Sequence, residues 1–199
     1  MELILVRHGL PLRIETQDGS PADPPLSESG QRQAQAVARW LASGSEIERI
    51  YSSPLRRAHQ TADPLAETLG LPVEIEPGVS EYDRDSSSYV PIEELKEIDY
   101  EAWREFMRRG YPPGMDLTDF YRAVVLGLGK IVADNPGRRV AVFCHGGVIN
   151  AWACEVIGFE FKLFFNPMYT SVNRFHASTE GIRSVGSLNE TAHLRGIKA

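Results

Sequence analysis

Cysteine is nearly absent: Cys144 and Cys154 are the only two in 199 residues, and they do not stand at metal-ligand spacing. Neither a disulfide scaffold nor a cysteine-based zinc site is indicated by that count. Basic residues are in deficit, with 21 Lys and Arg against 27 Asp and Glu and a formal charge of −6. A general nucleic-acid or anionic-membrane binder needs a net basic face, so neither partner is expected, and any anion site must be a local cluster of Arg. No apolar run approaches the roughly 20 residues that span a bilayer, and no basic leader with an apolar core opens the chain. These absences predict a soluble cytoplasmic protein, and with no His and carboxylate cluster at ligand spacing, no metal or cofactor is expected. What is present, 42% hydrophobic and 24% charged residues, suits one compact domain over residues 1–199 with a substantial core.

Strand and helix patterns alternate from end to end, the signature of a layered α/β domain with a mainly parallel sheet. Leu3-Ile4-Leu5-Val6 reads as a strand buried on both faces, and Val140-Ala141-Val142-Phe143-Cys144 repeats the pattern. Between them, Ser27 reads as the N-cap of a helix whose Ala34, Val37, Ala38 and Leu41 share a face. Ile47 to Tyr51 and Val73 to Ile75 read as strands. Ser53-Pro54 is placed as N-cap and first residue of a helix that carries Ala58, Ala62 and Leu65 and ends at Gly70. The stretch Glu76 to Pro91 reads as loop. Leu95, Ile98, Ala102 and Trp103 mark one further helix, and Tyr121 to Val132 another; both are expected to cover the sheet. Val148 to Ile157 reads as a helix closed by Gly158, and Thr170 to Phe175 and Ile182 to Val185 as late strands.

Both buried strands end in the same way, the first in Arg7-His8-Gly9 and the second in His145-Gly146-Gly147. Ligands of open α/β sheets bind at the carboxyl edge of the strands. If the two strands are neighbours, their imidazoles converge on one crevice, and Gly9 allows the backbone to approach a bound group. The helix opening at Ser52 to Ala62 directs its free N–H groups and positive dipole end toward the same crevice. Arg56 and Arg57 lie about 100° apart around that helix, so one faces the site; Arg57, beside the apolar Ala58, is the candidate. His59 then points to solvent. Cys144 alternates away from the crevice that His145 faces and reads as a buried structural thiol.

At this point the chain resembles the histidine phosphatase superfamily, the group that includes cofactor-dependent phosphoglycerate mutases and acid phosphatases. Arg7-His8-Gly9 is similar to its signature, Leu26 to Ala34 to its first-helix opening, and Ser52 to Ala62 to its Ser-Ser-Pro-Leu-x-Arg-Ala-x-Gln-Thr-Ala segment. That last match also selects Arg57. His145-Gly146-Gly147 corresponds to the second histidine, and Glu81 best matches the acidic residue after the third strand. The resemblance implies a three-layer αβα fold with a central, mainly parallel sheet, phosphoglycerate mutase-like, and a phosphorylated small-molecule substrate.

The residue types suit phosphoryl chemistry. Arg7 and Arg57 disfavour a cationic His8 and leave it a lone pair with which to attack phosphorus. Arg7, Arg57 and, if it is protonated, His145 are expected to hold the phosphoryl oxygens, and Glu81 to protonate the leaving alkoxide. Asp83 and Asp85 share that loop and stay open as alternatives. Arg84 is placed to bind a second anionic group of the substrate or to pair with these acids, and Tyr82 and Tyr89 to form an aromatic wall. His193 is expected to be structural. The reading is a metal-independent phosphomonoesterase working through phospho-His8. The alternatives are a phosphoglycerate mutase-type transferase and a catalytically weak phospho-recognition domain. Leu10-Pro11, where family members often carry a small polar phosphate-binding residue, speaks against phosphoglycerate as the substrate.

Overall fold

The computed structural model describes residues 1–44, 46–109 and 116–197. In chain order the elements are β1 (Glu2–Arg7), β2 (Ile14–Glu15), α1 (Glu28–Gly44), β3 (Arg49–Ser52), α2 (Arg56–Leu69), β4 (Val73–Ile75) and β5 (Ser88–Tyr89). They continue with α3 (Ile92–Ile98), α4 (Tyr100–Arg109), α5 (Thr118–Asp134), β6 (Arg139–Cys144), α6 (Gly146–Ile157), β7 (Val172–Ala177) and β8 (Arg183–Glu190). Six strands form one sheet in the order β4-β3-β6-β1-β7-β8. β4, β3, β6 and β1 are parallel, and β7 and β8 add an antiparallel edge.

The run of branched aliphatics in β1 and β6 has its reason in the layers. Leu3, Leu5, Val140 and Val142 pack with Val124, Leu128 and Ile131 of α5 and with Val148, Ile149 and Trp152 of α6. On the other face, Ile4, Val6, Ala141 and Phe143 meet Val37, Ala38 and Leu41 of α1 and Ala62 and Leu65 of α2. Each fully buried Leu, Ile or Val side chain contributes about 1.5–3 kcal/mol. β1 and β6 therefore form the most firmly held part of the sheet, and they pair in parallel with Arg7 opposite Cys144. Their two carboxyl ends are fixed side by side. No helix among the described residues is long and apolar enough to cross a membrane.

Three local expectations need correction. α2 starts at Arg56, two residues later than expected, with Leu55 at its N-cap and no side-chain cap there; Ser53 is engaged elsewhere. The helix expected around Leu95 to Trp103 is two helices, because Asp99 leaves helical geometry at φ −144° and ψ 88° and its carboxylate accepts from Ala102 N–H at 3.0 Å. An Asp that hydrogen-bonds the backbone ahead of it starts a helix rather than continuing one. α3 and α4 pack mainly on each other, leaving the covering of the sheet to α5. Finally, the stretch expected as loop contains β5, which pairs antiparallel with β2, Ile14 opposite Tyr89, and ties the loop after β1 to the loop that carries the acids.

Candidate active site

The loop after β1 is held by residues that never touch the cavity. Gly9 N–H donates to Thr61 Oγ1 at 3.0 Å, and Leu10 N–H to Gln33 Oε1 at 2.9 Å. Ser27 Oγ donates to Leu10 O at 2.9 Å while accepting from Gly30 N–H at 3.0 Å, so it caps α1 as expected and clasps the loop as well. A Cβ on Gly9 would stand 2.6 Å from Gly30 O, and one on Gly30 would stand 2.1 Å from Leu10 O. The two glycines thus serve backbone-to-backbone contact between the loop and α1. This corrects the expectation that Gly9 makes room for a bound group.

The cavity at the strand ends has a volume of about 230 Å³ and is lined at its inner end by Arg7, His8, Arg57, Glu81 and Asp83. His8 is 2% exposed, its N–H donates to Cys144 O, and its carbonyl accepts from Thr170 N–H. Its Nδ1 lies 2.8 Å from Gly9 O. A carbonyl accepts only, so Nδ1 carries the proton and Nε2 keeps the lone pair. Burial, then the Arg57 and Arg7 charges, hold the His8 pKa well below 6.5, against the pull of the Gly9 carbonyl. At neutral pH His8 is therefore an uncharged imidazole with a free lone pair.

Arg7 is fixed by Asn166 Oδ1, which accepts from Nη1 at 3.3 Å, and by Pro167 O; its guanidinium carbon lies 4.0 Å from the centre of the Tyr169 ring. Arg57, 1% exposed, donates from Nη2 to Asp83 Oδ1 at 3.1 Å and stacks at 4.6 Å on Tyr89. Its Nε is buried without a partner among the described residues.

His145 is fully buried at the N-cap of α6, with its ring centre 5.1 Å from that of His8. Burial lowers its pKa, and Arg57, His8 and Arg7 lower it further. His145 is thus neutral here, chiefly because it is buried and further because of the Arg57 and Arg7 cations and the neighbouring His8, so it is not the protonated clamp that the sequence allowed. Its Nε2 lies 2.9 Å from Ser53 Oγ, and Ser53 Oγ accepts from Leu55 N–H at 3.3 Å. His145 Nδ1 is buried and has no partner among the described residues.

Glu81 is 8% exposed. Gly147 N–H at the start of α6 donates to its Oε2 at 2.9 Å, and Tyr82 N–H to its Oε1 at 3.1 Å. Burial and the nearby Asp83 charge push the Glu81 pKa up to about 7, over the opposing effect of those two N–H groups and Arg57. A carboxyl with that value exchanges a proton at neutral pH. It also lies hard against the helix, since a Cβ on Gly147 would stand 2.3 Å from Glu81 Oε1.

Other expectations fare differently. Arg84 does not line the cavity; it pairs with Asp85 Oδ2 at 3.3 Å with 54% of its side chain exposed, so its expected contact with a second substrate anion is not supported. Asp85, 83% exposed, points away too, leaving Glu81 and Asp83 as the acids at the cavity. The first free N–H of α2 does not face an anion in the crevice: Arg56 N–H donates to Asp23 Oδ1 at 2.9 Å. Tyr82 and Tyr89 do line the cavity, while Leu10 and Pro11 do not. Cys144 is buried within the core, His59 pairs with Asp63 at the surface, and His193 supports Thr170 through Oγ1 at 3.2 Å. Sequence reasoning missed Tyr169, Asn166 and the Leu163 to Phe165 wall. These lie in a segment without periodicity, and only its run of aromatics signals them.

The profile of the histidine phosphatase superfamily (branch 1) matches residues 3–190. A bifunctional protein of Mycobacterium tuberculosis is 30% identical over 200 residues, which cover 96% of this chain and 54% of that protein, so the chain spans about half the length of that relative. Phosphoserine phosphatase 1 of Hydrogenobacter thermophilus is 29% identical over 210 residues, 98% of this chain and 94% of the relative. Among solved structures, a mycobacterial glucosyl-3-phosphoglycerate phosphatase complexed with VO3 superposes with a TM-score of 0.74 at 22% identity, over 96% of this chain and 99% of the other. The phosphoserine phosphatase of Entamoeba histolytica in complex with 3-phosphoglyceric acid gives 0.72 at 26% identity, over 97% and 98%.

Proposed function

From the premise that the chain belongs to the histidine phosphatase superfamily, we propose that it hydrolyses phosphomonoesters through a phosphohistidine on His8, as one domain and with no metal in the chemistry. The observation that carries this reading is the protonation pattern of the cavity. His8 presents Nε2 as a lone pair between two guanidinium groups, while Glu81 in the same cavity holds a proton near neutral pH. A nucleophile without a proton and an acid with one are what an ester of a poor leaving group requires.

In the first step, His8 Nε2 forms a bond to phosphorus as the P–O ester bond breaks, and the departing alkoxide takes the proton of Glu81. Arg7 and Arg57 hold the non-bridging oxygens by charge-assisted hydrogen bonds, Arg57 exchanging Asp83 for the phosphoryl group. Ser53 O–H donates to His145 Nε2, which leaves the proton of His145 on Nδ1 as a neutral donor for one of those oxygens. In the second step, water attacks phosphorus, Glu81 carboxylate takes a proton from that water, and the P–N electron pair returns to Nε2. Phosphate leaves. The nucleophile belongs to the protein, so no metal-bound hydroxide is called for.

The test is turnover of 4-nitrophenyl phosphate with and without a chelator, alongside mass-spectrometric trapping of an acid-labile, base-stable phosphoprotein at His8. Chelator-insensitive release of phosphate that disappears in His8→Ala is expected. Undiminished turnover in His8→Ala rejects the mechanism, and transfer of the phosphoryl group between phosphoglycerates without release of phosphate rejects hydrolysis.

A further inference from the structure

Beyond the phosphoryl end, the cavity changes character. Its walls are Val90, Ile92 and Leu95, from the acid loop and α3, and Leu163, Phe164 and Phe165 from the segment after α6. Asn150 also lines it, yet its carboxamide is fully engaged. Nδ2 donates to Gly146 O at 2.9 Å and Phe165 O at 3.0 Å, and Oδ1 accepts from Phe164 N–H at 2.9 Å and Phe165 N–H at 3.3 Å. Asn150 therefore braces the phenylalanine wall and leaves no hydrogen-bonding capacity for a ligand.

Charge is distributed just as unevenly. Among the described residues, Arg7 and Arg57 are the only cationic side chains lining the cavity, and the phosphoryl group takes both. Arg84, the nearest further cation in sequence to the acids, is turned to solvent. The other charged residues of the lining are Glu81 and Asp83. A second carboxylate or phosphate on the leaving group would lose its water against apolar walls, facing two acids and no cation, a costly burial. At about 230 Å³ the space is also below the roughly 300–1,000 Å³ typical of drug-sized ligands, which limits the alcohol part to about one ring or a short chain.

Resting on the phosphatase reading above, we propose that this cavity selects phosphomonoesters of small, uncharged, largely apolar alcohols, aryl or short alkyl, and discriminates against esters that carry a second anionic group. The selectivity resides in the Phe164 wall and in the lack of a third cation among the described residues of the lining. It separates this chain from the phosphoserine and phosphoglycerate ligands named for the proteins it resembles.

The experiment compares kcat/KM for 4-methylphenyl phosphate and 4-carboxyphenyl phosphate. The two have similar shapes, and the carboxylated phenol is the better leaving group, so intrinsic reactivity opposes the expected preference. The methyl ester is expected to be favoured by at least roughly thirtyfold, with O-phosphoserine and 3-phosphoglycerate ranking below propyl phosphate. Phe164→Arg, at a position 39% exposed and so tolerant of a polar residue, is expected to narrow the aryl ratio at least fivefold by supplying the missing cation. Equal use of the two aryl esters, or preference for the carboxylated one, overturns the selectivity and leaves hydrolysis standing. A Phe164→Arg ratio unchanged from wild type overturns the assignment to that wall. Failure to hydrolyse either ester or 4-nitrophenyl phosphate overturns the phosphatase reading and this proposal with it.

Discussion

Replacing Gly147 by alanine isolates the acid of the site without touching its carboxyl group. The added Cβ would stand 2.3 Å from Glu81 Oε1 and 3.1 Å from Glu81 Cδ, where ordinary contact begins at 3.4 Å. One partner has to move by about 1 Å. The backbone of α6 is locked between the sheet and α5, so the end of the Glu81 side chain gives way and its bond to Gly147 N–H is lost. A displacement of that size at a reacting group costs on the order of a hundredfold in rate. Stability responds much less: overpacking costs about 1–3 kcal/mol, and alanine in place of glycine in a helix returns up to about 1 kcal/mol. For a chain of this length, the net corresponds to a fall of no more than about 12 °C in Tm. The assay is kcat/KM for an alkyl phosphate, whose alkoxide needs a proton, against 4-nitrophenyl phosphate, whose phenolate does not, with Tm measured in parallel. About a hundredfold loss on the alkyl ester and less than tenfold on the aryl ester is expected. Alkyl ester hydrolysis within threefold of wild type would refute the placement of the proton donor.

Glu81→Gln is expected to slow alkyl ester hydrolysis by roughly 10²–10⁴-fold and to abolish the alkaline limb that a group with pKa about 7 places in the wild-type pH–rate profile; a surviving limb assigns it to another residue. Asp83→Asn removes the carboxylate that occupies Arg57 Nη2, so inorganic phosphate should inhibit about tenfold more tightly, and an unchanged or weaker inhibition constant contradicts the exchange. Gly30→Ala drives a Cβ to 2.1 Å from the backbone oxygen of Leu10, where neither partner is a flexible side chain, and should lower the unfolding free energy by about 3 kcal/mol or more in urea titrations. Acid should also destabilise the fold. His8 and His145 have folded pKa values below 6.5, so the unfolded chain binds more protons, and the stability present above pH 6.5 is lost as pH falls toward the folded values at up to about 1.4 kcal/mol per unit for each histidine. Glu81, raised from 4.5 to about 7, works in the opposite sense across that interval and offsets about one of them. Denaturation at pH 7.5 and 5.5 should show the net loss, and His145→Gln should flatten it.

The six strands of the main sheet, most of the helices and four of the five candidate site residues were legible because their signals are local. Leu3 to Val6 can bury both faces only as a central strand, and a His following each of two such strands meets its counterpart once they pair. Glu81 was named from its match to the family's acidic residue and its order and spacing after the third strand; what sets it apart from Asp85 is tertiary, the N–H of Gly147 arriving from α6. The protonation of His145 was also out of reach, since it depends first on its burial and then on neighbours contributed by α2, the loop after β1 and β1 itself. Arg84 shows the limit most clearly. In a turn whose course follows from contacts made elsewhere, adjacent residues face opposite ways, and no periodicity says which of them looks inward.

The position of β6 between β3 and β1 imposes an order of events on the growing chain. Residues 1–138 already contain His8, Arg57 and Glu81, but they lack the strand whose Cys144 carbonyl receives the His8 amide and the helix whose amide holds Glu81. Parallel pairing across so long a separation is slow to form. A nascent or truncated chain therefore carries the reactive groups without their geometry, and catalytic competence arises late, as a property of the completed sheet. Recovery of activity after dilution from denaturant will accordingly trail the recovery of helical signal.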